Sequence, residues 1–217
     1  MQVALVDYDS GNLHSARKAL ELTGRELGAR IMVTSDPRIV AGADRIVLPG
    51  DGAFPACRAA LDAVPGLTEA LEQAVLRRGV PFLGICVGMQ MLAGQGHEYR
   101  PTPGLDWIGG EVVAIRPKGV HGGLQRGLKV PHMGWNDLVI DRPHPLLEGI
   151  ATGDHAYFVH GWQFRVSDSA HLLAHVDYGG PVTAMVAREN IAGTQFHPEK
   201  SQQTGLHLLR NFMSWNP

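Results

Sequence analysis

The segment Gly84-Ile85-Cys86-Val87-Gly88-Met89-Gln90 places one cysteine between two glycines, where the apolar run from Val80 to Ile85 meets a stretch of helical spacing. This is the cysteine form of a nucleophile elbow. A sharp strand-to-helix turn strains its central residue, and a side chain two positions before or after would collide, which calls for glycine at 84 and 88. Such a turn presents the sulfur of Cys86 at the carboxyl end of a sheet and at a helix N-terminus, where free N–H groups and the dipole favour thiolate. It also aims the Val87 N–H at an oxyanion formed on an attacked carbonyl. The same pattern fits a small core cysteine in a glycine-rich turn. Cys57, in Ala56-Cys57-Arg58-Ala59-Ala60, lacks flanking glycines and reads as a core thiol.

A thiolate nucleophile needs a base that later protonates the leaving group. The chain has 11 histidines, so composition selects none of them. Local geometry favours Thr194-Gln195-Phe196-His197-Pro198-Glu199-Lys200-Ser201, where Pro198 pushes His197 toward an extended conformation. Residues two apart on an extended chain face the same way. His197 and Glu199 are therefore expected side by side, the carboxylate orienting one ring nitrogen while the other faces the sulfur, as in a triad. Taken alone, the segment also fits a surface histidine beside a solvated acid.

Other arrangements lack support. His97-Glu98 has no second histidine to complete H-E-x-x-H, and no C-x-x-C occurs, so no metal site is expected. Gly50-Asp51-Gly52 is not a dinucleotide fingerprint, because Pro55 stands where the third glycine belongs. No cofactor is expected. That loop is better suited to bring its backbone near a reacting carbonyl and to donate a second N–H from around Asp51 or Gly52, although a plain tight turn has the same composition.

These residues need a scaffold. Gln2 to Asp7 followed by Leu13 to Thr23 reads as strand, turn, helix. Ile31 to Val33 and Arg45 to Leu48 read as buried strands, Ala53 to Ala63 and Leu67 to Arg78 as helices, and Val87 to about Ala93 as the helix after the elbow. Alternation of this kind implies a parallel sheet flanked by helices. After Gly96 the texture changes to shorter stretches, Glu111 to Ile115, Trp135 to Val139, Tyr157 to His160, Leu172 to Val176, Val182 to Arg188 and Ile191 to Phe196, which read as strands and hairpins. Gly122-Gly123 and Asp177 to Gly180 read as turns. Thr204 to Trp215 is expected to be a final helix with Leu208, Leu209 and Phe212 on one side.

Composition agrees with a packed α/β chain. The 217 residues are 44% hydrophobic and 18% charged, which excludes disorder and suits one domain spanning 1–217. With 19 basic and 21 acidic residues and no long like-charged run, a nucleic-acid partner is not expected. Asp7 comes too early for a signal peptide, and no apolar stretch is long enough to span a bilayer, so a cytoplasmic chain with no membrane contact is expected. The two cysteines read as free thiols.

The elbow and the late His-Pro-Glu resemble those of the class I glutamine amidotransferases. Further blocks, Tyr8-Asp9-Ser10-Gly11-Asn12-Leu13, Pro49-Gly50-Asp51-Gly52-Ala53-Phe54, Pro131-His132-Met133-Gly134-Trp135-Asn136, Tyr157-Phe158-Val159-His160 and His197 to Ser201, are similar to the glutaminase subunits of imidazole glycerol phosphate synthases. The resemblance implies a flavodoxin-like fold with a central, mostly parallel sheet flanked by helices and added antiparallel strands. It implies hydrolysis of glutamine to glutamate and ammonia through Cys86, His197 and Glu199, with ammonia passed to a separate cyclase subunit in a heterodimer of histidine biosynthesis. It also implies that Gly52, Gln90 and Glu98 hold glutamine and that Asn12 and Lys200 face the partner. Two positions depart from the family pattern. Gly161 and Trp162 follow Tyr-Phe-Val-His where a hydroxyl residue is usual, and Asp51 replaces an apolar residue of the oxyanion loop. The alternatives are a stand-alone cysteine hydrolase or peptidase of the same architecture, and a non-catalytic subunit that only binds a partner.

Overall fold

The computed structural model describes residues 1–117 and 128–217, so the turn expected at Gly122-Gly123 lies outside the described residues. In the first half, β1 (Gln2–Val6), β2 (Arg30–Thr34), β3 (Arg45–Gly50) and β4 (Phe82–Cys86) alternate with α1 (Leu13–Gly24), α2 (Pro37–Gly42), α3 (Phe54–Ala63) and α4 (Leu67–Glu72). The helix expected to run to Arg78 changes to π-helical geometry over Gln73–Arg77. α5 (Val87–Gln90) follows β4 without a break. The second half contains β5 (Gln95–Gly96), β6 (Thr102–Pro103), β7 (Gly110–Ala114), β8 (His132–Asp137), β9 (Val139–Ile140), β10 (His155–His160), β11 (Trp162–Val166), β12 (Leu172–Asp177), β13 (Pro181–Arg188) and β14 (Ile191–Thr194), and closes with α6 (Gln202–Ser214).

Among the described residues the principal sheet has the order β2-β1-β3-β4-β14-β13-β12-β9. It is parallel from β2 to β14 and antiparallel from β14 to β9. Strands β3, β4 and β14 are buried along their whole length, as expected where helices cover both faces of a parallel sheet. β8 pairs with β10, and β11-β7-β5-β6 forms a second small sheet. Leu208, Leu209 and Phe212 of α6 are buried in the core.

Three departures from expectation have local causes. Trp135 to Val139 is not one strand: Leu138 turns inward, its N–H bonded to Asp154, and β8 and β9 join different sheets. α5 ends at Gln90 rather than near Ala93, because the Met91, Leu92 and Ala93 carbonyls turn to accept the N–H groups of residues 105–108. β5, β6 and β11 have no clear alternation and form through pairing with β7 and with one another.

The carboxyl ends of β1, β3, β4 and β14 share one edge of the principal sheet, where open α/β sheets place their ligand sites.

Candidate active site

At the end of β4, Cys86 has φ 56° and ψ −112°, a conformation that L-residues seldom adopt outside strained turns. A Cβ on Gly84 would lie 2.5 Å from the Gly88 carbonyl oxygen, and one on Gly88 would lie 1.9 Å from that of Leu48. The two glycines are therefore needed for close packing of the elbow on itself and on β3. Cys86 is 4% exposed. Val87 opens α5, where first-turn N–H groups have no intrahelical acceptor.

His197 comes from the segment after β14, in extended conformation at φ −93° and ψ 102°. Its Nδ1 lies 2.9 Å from Glu199 Oε1, both side chains being almost fully buried. The pairing was expected from strand alternation, but Pro198–Lys200 forms a 3₁₀ turn, and it is this turn that brings the carboxylate back to the ring. Burial by itself lowers the pKa of His197; the neighbouring Cys86 sulfur and the Glu199 carboxylate outweigh it and raise the value to about 10. His197 Nε2 is buried without a partner of hydrogen-bond geometry. The sulfur is thus close enough to favour the charged ring while the bond itself stays open, as is common before substrate binds. Alternation does operate on a different pair: Gln195, two residues before His197 and fully buried, points its Nε2 to Cys86 Sγ at 3.5 Å.

A family model for glutamine amidotransferase class-I matches residues 4–215. The chain belongs to the class I glutamine amidotransferase family. It is similar over its full length to proteins named imidazole glycerol phosphate synthase subunit HisH: 61% identical to that of Cereibacter sphaeroides, 58% to that of Ruegeria pomeroyi and 56% to that of Rhodospirillum rubrum, each covering 100% of both chains. Among solved structures, a glutamine amidotransferase shares the fold with a TM-score of 0.68 at 20% identity, covering 97% of each chain. Another, from Thermotoga maritima, gives 0.62 at 17% identity, covering 94% of this chain and 78% of the other.

In this amidotransferase the loop after β3 is tied down by residues from the loop after β1 and from α3. Tyr8 Oη donates to the Pro49 carbonyl at 2.5 Å. Ser10 Oγ accepts the Asp51 N–H at 3.1 Å and donates to the Asp51 carbonyl at 2.9 Å, and Cys57 Sγ donates to the same carbonyl at 3.3 Å. Cys57 is the buried free thiol expected, with this added contact. The Asp51 N–H is therefore committed, whereas that of Gly52, at φ 107°, finds no acceptor among the described residues. The Asp51 carboxylate is exposed and takes no hydrogen bond there.

The expected glutamine contacts are already partly engaged. Gln90 is 3% exposed, and its Nε2 donates to the Trp162 carbonyl at 3.1 Å and to Gln195 Oε1 at 2.9 Å, leaving its own oxygen as the group with capacity. Glu98 Oε2 accepts the Phe54 N–H at 2.7 Å and so anchors the start of α3. The Gly161 carbonyl, at the position lacking a hydroxyl side chain, accepts the Ile115 N–H at 2.9 Å. Asn12 caps α1 by accepting the Ser15 N–H, and α1 packs against the turn that carries Lys200. A cleft of about 600 Å³, lined by His97, Glu111, Arg116, Trp162 and Arg165 among others, contains no triad member. The described residues include no helix long and apolar enough to cross a membrane.

Sequence reasoning missed Ser10 and Gln195 as neighbours of the elbow and its adjoining loop. Gln195 was accessible by the alternation applied to His197. Ser10 was not, because its contacts join parts of the chain 41 residues apart.

Proposed function

We propose that this chain is the glutaminase subunit of an imidazole glycerol phosphate synthase, hydrolysing glutamine and passing ammonia to a separate cyclase subunit. The observation that carries the reading is the buried Cys86, His197 and Glu199 constellation at a strained elbow, in a family of glutamine amidotransferases. The full-length similarity to HisH proteins supports the choice of partner.

Cys86 Sγ attacks the side-chain amide carbon of glutamine. The developing oxyanion takes the Val87 N–H and an N–H of the Asp51–Gly52 segment. His197, protonated at neutral pH, gives its proton to the departing nitrogen, and ammonia leaves behind a γ-glutamyl thioester. Water then attacks the thioester with His197 as base, taking the water's proton, and glutamate is released as the thiolate and the protonated His197 are restored. Glu199 holds the ring in orientation and stabilises its charge. Gly52, Gln90 and Glu98 line the glutamine site, the latter two through the oxygens not already bonded. Asn12 and Lys200 lie at the cyclase-facing edge.

A glutaminase assay with and without the cyclase subunit and its nucleotide ligand tests this. Weak hydrolysis that rises strongly with both additions is the expected result. Full activity without a partner would instead assign a stand-alone hydrolase. Failure of a glutamine-analogue electrophile to label Cys86 in the assembled complex would exclude both enzymes.

A further inference from the structure

His132 on β8 and His160 on β10 are directly opposite in the antiparallel pair, and both are nearly inaccessible. Their rings bond to each other, His132 Nδ1 to His160 Nε2 at 3.1 Å. His160 Nδ1 lies 2.8 Å from the Trp162 carbonyl, which can only accept, so Nδ1 carries a hydrogen. The other end gives the same direction. Asn136 Nδ2 donates to the Asp177 carbonyl at 3.1 Å and sits 3.3 Å from His132 Nε2, while its Oδ1 accepts the Asp137 N–H, so His132 Nε2 is the acceptor. The middle bond therefore runs from His132 Nδ1–H to His160 Nε2, and both rings are neutral Nδ1–H tautomers.

The chain of bonds continues to the nucleophile. The Trp162 carbonyl that takes the His160 hydrogen also takes one from Gln90, whose second amide hydrogen goes to Gln195 Oε1, and Gln195 donates to Cys86 Sγ. Each donor along it is spent once.

Building on the assignment of Cys86 as the nucleophile, we propose that His132 and His160 are positioning residues for glutamine hydrolysis. As neutral rings in one fixed tautomer they hold the Trp162 carbonyl, and through Gln90 they hold the Gln195 amide against the Cys86 sulfur. Protonating either ring would set two donors face to face and break the chain. Burial pulls the pKa of each down to about 4. The titratable groups facing the pair are His197, whose charge disfavours a second charge on His160, and Tyr178, whose ring centroid is 4.0 Å from that of His132. The ring of Phe158 stacks on that of His132. No carboxylate among the described residues bonds to either ring.

Two measurements test the role. Nitrogen-15 NMR of the histidine-labelled full chain should show both rings as Nδ1–H tautomers that remain neutral down to about pH 5; an Nε2–H tautomer, or titration near the ordinary value, overturns it. In the complex with the cyclase and its ligand, His160→Leu should lower kcat about three- to tenfold, the kinetic equivalent of one neutral hydrogen bond, with KM within about twofold. Asn presents a donor near the Nδ1 position, so His160→Asn should recover most of that loss. An unchanged kcat in His160→Leu, or no advantage of Asn over Leu at equal unfolding temperatures, overturns the proposal. A wild-type complex that fails to turn over glutamine overturns the glutaminase reading and this role with it, and the tautomers then report a network without catalytic purpose.

Discussion

Ser10 and Asp51 are joined twice by one hydroxyl, which accepts the Asp51 N–H at 3.1 Å and donates to the Asp51 carbonyl at 2.9 Å. The Asp51 N–H, next in the chain after Gly50 of β3, is thereby directed to a side chain instead of toward the oxygen of a carbonyl bound at Cys86. Ser10→Ala removes both bonds and leaves Cys57 as the remaining side-chain donor to that carbonyl. If the Asp51 N–H serves the oxyanion once released, partner-free glutamine hydrolysis should rise about three- to tenfold, since one or two neutral hydrogen bonds then oppose the change less. Steady-state kinetics without the cyclase measures this; an unchanged or lower rate leaves Gly52 as the loop's oxyanion donor.

The buried His197 and Glu199 side chains predict unequal losses. Cys86→Ala should abolish turnover while the chain still binds its partner. His197→Ala should lower kcat by about 10²- to 10⁴-fold, the usual range for a general acid-base. Glu199→Gln keeps a hydrogen-bonding group beside Nδ1 but removes the charge, so its loss should be smaller than that of His197→Ala. Wild-type activity in Glu199→Gln would make the carboxylate purely structural.

Much of the site was legible because it depends on local steric rules. Glycine at 84 and 88 announced the elbow, and Pro198 announced the extended His197. The 3₁₀ turn that delivers Glu199 was not legible, since alternation predicted the same neighbour by a different route. The parallel half of the sheet followed from alternating apolar runs and helical spacing. β5, β6 and β11 did not, because they are held by pairing with β7 and carry little pattern of their own. The same limit hid His132 and His160, which are 28 residues apart in sequence and meet only across β8 and β10.

Stability should fall on both sides of a maximum near pH 6.5. An unfolded histidine binds its proton near that value, whereas folded His132 and His160 do so only near 4. Below pH 6.5 the unfolded chain therefore holds more protons, and stability is lost toward pH 4, by up to roughly 3 kcal/mol per ring. His197 acts oppositely, because its folded pKa is raised to about 10: its contribution is complete below pH 6.5 and disappears as pH rises toward 10. Denaturant unfolding as a function of pH measures both limbs. His160→Asn should flatten the acid limb and Cys86→Ala the alkaline one; unaltered limbs in these variants would assign the pH dependence to other groups.

Lys200 follows Glu199 in the same turn, which packs against α1, yet its ammonium forms no ion pair among the described residues. On the proposed reading Lys200 faces the cyclase, and a contact made there would reach His197 through the turn backbone, where the Lys200 N–H bonds the His197 carbonyl at 3.0 Å. Lys200→Ala should leave partner-free hydrolysis within about twofold while reducing activation by the cyclase about fivefold or more, the scale of a typical coupling between sites. Paired assays with and without the cyclase decide the matter. A loss confined to the partner-free rate, or a matching rise in KM for glutamine, would place Lys200 at the substrate instead of at the interface.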